Sequence, residues 1–124
     1  MQGFQIRVNR WLVNCFGREV AYSVPDRCWR FLEEAIELVH SLGCAEEEAH
    51  DLVSYVFGRG KGESSEEVGD VVLTLAALCS VTETDMTAVA WDKLCEVEQP
   101  GVMDRIRAKQ ASKAHGTSLP GGAS

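Results

Sequence analysis

The sequence has no CxxC pair and no cluster of cysteine and histidine at the spacing a zinc site requires. Its five cysteines, Cys15, Cys28, Cys44, Cys79 and Cys95, are widely scattered. A structural zinc site is therefore excluded, and most of the thiols are expected to be buried and reduced. No apolar run approaches the ~20 residues needed to span a bilayer, and the N-terminus carries no apolar core of the signal-peptide kind. The expectation is a cytoplasmic protein that does not enter a membrane. No internal repeat is evident, and no stretch alternates with the two-residue period of strands for long enough to build a sheet.

Basic charge is also scarce. Lys and Arg number 12 against 19 Asp and Glu, for a formal charge of −7. The shortage is uneven: residues 1–103 hold 8 basic and 18 acidic side chains, and residues 104–124 hold 4 and 1. An acidic body argues against nucleic acid as a partner, because such binding rests on clustered Lys and Arg neutralising phosphates. It is compatible with binding cations. At 124 residues, 45% hydrophobic and 25% charged, the chain suits one folded domain with a single core.

What the sequence does contain is helical periodicity. Phe4, Val8, Trp11, Leu12, Cys15 and Phe16 recur at three- and four-residue steps, and Gly17 ends that pattern. Ser23 or Asp26 is placed to cap a second helix whose first turn contains Pro25 and which runs to Ser41, with Leu42-Gly43 as its stop. Its buried stripe is expected to be Trp29, Leu32, Ile36 and Val39 or Leu38. A third helix over 45–57 opens on Glu46-Glu47-Glu48, acids suited to the positive end of a helix dipole. After the glycine-broken stretch 58–62, Ser64 and Glu67 have the spacing of a capping box that starts an apolar central helix, Val68 to Val81. Helical spacing resumes over Met86–Val97, and Gln99-Pro100-Gly101 interrupts it before a short helix over 102–113. The fold class is all-α, a four-to-five-helix bundle. Residues 1–113 form the domain, and 114–124, small and rich in Gly and Pro, form a flexible tail.

Two acidic groups stand beside core residues rather than on a solvated face: Glu33-Glu34-x-x-Glu37 in the second helix and Glu67-x-x-Asp70 at the start of the central one. Positions three apart on a helix have Cβ atoms about 5–6 Å apart, so Glu34 with Glu37, and Glu67 with Asp70, can each share a face. Acid pairs at helical spacing commonly only solvate a helix. Were these two pairs to face one another, four carboxylates would repel and lose hydration unless a divalent ion joined them. The donors are all hard oxygens, which favours Mg²⁺ or Mn²⁺ over Zn²⁺.

This two-part pattern, Glu33-Glu34-x-x-Glu37, a spacer with one helix, then Glu67-x-x-Asp70, resembles the EExxE…ExxD signature of the MazG-like and dimeric dUTPase superfamily of nucleotide pyrophosphohydrolases. It covers about residues 26–98 and is closest to the short single-domain MazG-like type of phages and bacteria. The resemblance implies a helical bundle assembled as a homodimer or homotetramer. It also implies Mg²⁺-dependent cleavage of nucleoside triphosphates to monophosphate and pyrophosphate, with dGTP and GTP as favoured substrates. Glu34, Glu37, Glu67 and Asp70 would be the metal ligands, with Glu33 orienting a ligand or the attacking water. Lys93, Arg105, Arg107 and Lys109 would contact phosphate. Asp92 departs from relatives that often carry asparagine or lysine in that region. The same scaffold could act on dUTP, dCTP or phosphoribosyl-ATP. The alternative from a different class of function is a helical interaction protein without catalysis, whose acids only solubilise it and whose basic tail docks a partner. Trp11, Phe16 and Trp29 are expected in the core, with base stacking as the alternative, and His40 and His50 on the surface.

Overall fold

The computed structural model describes residues 2–112. Among these the chain forms six α-helices and no strand: α1 (Gln2–Ala21), α2 (Val24–Ser41), α3 (Glu46–Phe57), α4 (Ser64–Val81), α5 (Met86–Val97) and α6 (Pro100–Ala111). The fold class is all-α, with six helices against the four or five expected of the bundle. The short helix expected over 102–113 is α6, 12 residues that start two residues earlier. Pro100 begins it rather than breaking the chain, because proline's missing amide is one of those a first turn leaves unbonded anyway.

Local chemistry sets the helix ends. Gly17, with φ 80° and ψ 165°, kinks α1 where its end was expected, and the helix resumes to Ala21. Ser23 Oγ accepts the Asp26 amide at 3.3 Å and starts α2. Gly43, with φ 95°, ends it as the Gly43 and Cys44 amides return to the carbonyls of His40 and Val39. Glu48 reaches back to the Ala45 amide at 2.8 Å to open α3. Asp85 Oδ1 accepts the Ala88 amide at 3.0 Å to open α5. The capping box expected between Ser64 and Glu67 does not form, because the helix starts one residue early: Glu63 holds the cap position and Ser64 is already helical.

The domain expected over residues 1–113 is made of two compact units, of which the first includes residues 2–38 and 91–112 and the second is Val39–Ala90. The tail expected over 114–124 lies outside the described residues. In the first unit α1 packs on α6. Cys15, Ala21 and Leu94 are its buried apolar residues. Phe4 meets Trp91 edge to face at 5.1 Å, and Trp11 Nε1 donates to the Val97 carbonyl at 2.9 Å. Arg7 grips Glu98 side-on, through Nε at 2.8 Å and Nη2 at 2.6 Å. Arg107 makes the same two-pronged grip on α1, donating from Nε to the Cys15 carbonyl at 2.8 Å and from Nη2 to the Asn14 carbonyl at 3.0 Å.

Three expectations about burial are corrected. Only Cys15 of the five thiols is buried; Cys28 and Cys95 are exposed. The stripe assigned to α2 is open, with Trp29, Leu32, Ile36 and Leu38 all exposed, and α2 contains no buried residue. In the second unit no residue of α3 or α4 is buried, although α4 is apolar on nearly every side. Amphipathic periodicity tells which side of a helix requires cover; it does not tell whether the same chain supplies that cover.

Candidate functional site

The motif acids fall on two helices. On α2, Glu33 is half-buried and its carboxylate lies 3.8 Å from Arg30, one turn earlier. Glu34 and Glu37 are exposed and one turn apart. On α4, Glu67 lies in the first turn and Asp70 one turn later, both exposed. Glu33, Glu34 and Glu37 thus belong to the first unit, and Glu67 and Asp70 to the second. Among the described residues, neither unit by itself gathers three acidic, histidine or cysteine side chains that could hold a metal ion. Each does present a pair of hydrated carboxylates at helical spacing, and this oxygen donor chemistry fits Mg²⁺ or Mn²⁺.

The first unit also holds a cavity of about 540 Å³. Trp11 and Phe16 of α1, with rings edge to face at 6.0 Å, give it an aromatic wall. From α2 come Arg27, Arg30, Glu33 and Glu34, and from α5 and α6 come Lys93 and Lys109. Arg27, Arg30, Lys93 and Lys109 outnumber Glu33 and Glu34 by two charges, in a chain whose formal total is −7. Against that acidic background the cavity is a local positive site facing an aromatic surface, suited to an anion that also carries a ring.

Among these cations Arg27 has two donors without a partner. Its guanidinium lies 5.7 Å from the centre of the Phe16 ring. Its Nε and Nη2 are shielded from solvent without a hydrogen-bond partner among the described residues. Burial pulls its pKa below the usual arginine value, with the positive charge of Arg30 adding to the effect and Asp26 opposing it. The group is still charged at neutral pH. Leaving a buried donor unpaired costs about 1–3 kcal/mol, and more when the group is charged.

The phosphate contacts expected from the sequence separate. Lys93 and Lys109 line the cavity, although Lys93 also pairs with Glu96 at 2.7 Å. Arg105 and Arg107 do not line it. Arg107 uses Nε and Nη2 on α1 carbonyls and Nη1 on Asp104 at 3.0 Å, so its hydrogen-bonding capacity serves the fold. Trp11 and Phe16 face the cavity rather than a closed core. The sequence reading passed over Arg27 and Arg30. A signal was present: Arg27, Arg30 and Glu34 recur at i, i+3 and i+7, one face of α2, and place two cations in line with a motif acid.

No single helix among the described residues is long and apolar enough to cross a membrane. Compared with known proteins, the chain matches no family model, no curated protein and no solved structure.

Proposed function

We propose that the chain is a Mg²⁺-dependent pyrophosphohydrolase that converts (deoxy)nucleoside triphosphates to monophosphates and pyrophosphate, with dGTP and GTP as preferred substrates. The observation that carries this reading is the cavity of the first unit, where motif acids Glu33 and Glu34 share walls with two aromatic rings and four cations. A nucleotide combines the three matching features: a flat ring, a polyanionic chain and a need for cations along that chain. The substrate preference and the pairing of α2 with α4 acids rest on the resemblance of the motif.

In this reading Glu34 and Glu37 on α2, and Glu67 and Asp70 on α4, are the carboxylates that would hold Mg²⁺, or Mn²⁺ in its place, and the ion would supply positive charge to the phosphate oxygens. Glu33, steadied by Arg30, orients the attacking water. The water oxygen bonds to the α-phosphorus as the α–β bridging bond breaks, the water's proton is lost to solvent, and pyrophosphate departs with the electrons of the broken bond. Lys93 and Lys109 offset charge on the phosphate chain. Trp11 and Phe16 offer the base an apolar face.

The assay is pyrophosphate release from a panel of ribo- and deoxyribonucleoside triphosphates with Mg²⁺. Glu37→Gln and Asp70→Asn are expected to lower turnover at least ~100-fold while the helical circular dichroism is retained. Absence of pyrophosphate from every member of the panel refutes the proposal.

The working form in this reading is a homodimer or homotetramer. Leu52, Phe57, Val68, Leu73 and Val81 are more than half exposed in the second unit, which buries no side chain of α3 or α4. A helix apolar on most sides is stable only when covered, and a unit of this size ordinarily buries over half its surface. A second copy provides an equally apolar surface to cover it.

A further inference from the structure

Three arginines of the first unit have the same donor pair, Nε–H and one Nη2–H pointing in parallel along one side of the guanidinium. In Arg7 that pair is filled by the two oxygens of Glu98, and in Arg107 by the carbonyls of Cys15 and Asn14. In Arg27 the same pair is withdrawn from solvent and receives nothing from the described residues. Arg27 lines the cavity, in company with Arg30, Lys93 and Lys109.

We propose that the side-on edge of Arg27 is an oxyanion-binding fork, which takes two oxygens of a phosphate group in the cavity and does so without a metal ion. The class of ligand rests on the nucleotide reading above; the fork itself rests on the unfilled donors. Two parallel N–H groups match the oxygen pair of a phosphate as they match the Glu98 carboxylate on Arg7. The Phe16 ring lies 5.7 Å from the guanidinium, a cation–π contact that keeps the group beside the cavity. The positive surplus of the cavity selects an anion over a neutral acceptor, and the lowered pKa of Arg27 agrees with a cation in need of a counter-charge. An ammonium cannot replace the fork, because lysine offers a point charge without paired, coplanar donors.

The test is calorimetric titration of the full chain with inorganic pyrophosphate, with a chelator present to remove divalent cations. Wild type is expected to bind. Arg27→Lys, which keeps the charge, is expected to bind about 10–100-fold more weakly. Arg59→Lys, in the loop that follows α3 and beside Tyr55, is expected to bind as wild type does. Thermal melting and circular dichroism establish that Arg27→Lys is folded. No binding by wild type, or equal binding by wild type and Arg27→Lys, overturns the fork. So does a result in which Arg27→Lys weakens binding of guanosine but not of pyrophosphate, because the donors would then be reading a base edge. Failure of the two proposals is distinguishable: a chain that binds pyrophosphate through Arg27 yet cleaves no nucleotide supports the fork and sinks the hydrolase. Cleavage with no dependence of pyrophosphate binding on Arg27 does the reverse.

Discussion

Replacing Arg107 with leucine separates a structural role from a phosphate contact. The guanidinium holds the carbonyls of Asn14 and Cys15, whose helical amide partners would be Arg18 and Glu19, beyond the Gly17 kink. Because that kink takes the amides out of line, Arg107 supplies donors the backbone no longer provides. Hydrogen bonds to a charged group contribute about 1.5–3 kcal/mol each. The side chain is 42% exposed, so solvent competes for both bonds and the sum falls to ~2 kcal/mol. Leucine keeps most of the side chain's apolar stem, which limits the loss to the polar contacts. For a chain of this size ~2 kcal/mol lowers Tm by about 8 °C. Calorimetry at fixed protein concentration measures the shift, since association would otherwise alter Tm. Pyrophosphate affinity, measured well below the transition, should be unchanged. A Tm within 2 °C of wild type together with a large loss of pyrophosphate affinity would refute the reasoning and return Arg107 to the substrate.

Further outcomes are expected elsewhere. Glu98 accepts two bonds from Arg7, which holds its carboxyl below the ordinary glutamate pKa. Its contribution to stability is therefore complete above that ordinary value of about 4.3 and is lost as pH falls below it. Tm recorded from pH 6 to 3 should fall less steeply in Glu98→Gln, and parallel curves would count against the linkage. Glu83 ends α4 with φ 55°, the left-handed region where glycine is at ease, and Thr84 returns its amide to Cys79 at 2.9 Å. Glu83→Gly should raise stability by ~1 kcal/mol in urea titration, and a lower midpoint would contradict that. Phe57→Asp with Leu73→Glu should reduce the mass seen by light scattering to that of one chain; an unchanged mass would move the interface away from α3 and α4.

Helix identity was legible in the sequence because it depends on neighbours within a turn or two. Apolar residues at three- and four-residue steps placed α1, α2, α3 and α5, Gly43 ended α2, and Ser23 capped it. Errors came where one residue of offset mattered. Ser64 lies inside α4 instead of capping it, and Pro100 starts α6 instead of preceding it. Spacing alone also placed Glu34 one turn from Glu37 and Glu67 one turn from Asp70, since helix geometry fixes such neighbours.

Tertiary structure decided what no periodicity can carry: which donors are already used. Arg7, Arg27 and Arg107 are the same residue type on amphipathic helices, and nothing local distinguishes them. Only the fold brings Glu98 to the first and the α1 carbonyls to the third, and leaves the second shielded beside Phe16. The burial of Cys15 but not Cys28 or Cys95 was decided in the same way. Helix formation follows from contacts a few residues apart, whereas burial and hydrogen-bond satisfaction depend on groups some ninety residues away along the chain, which composition and spacing do not encode.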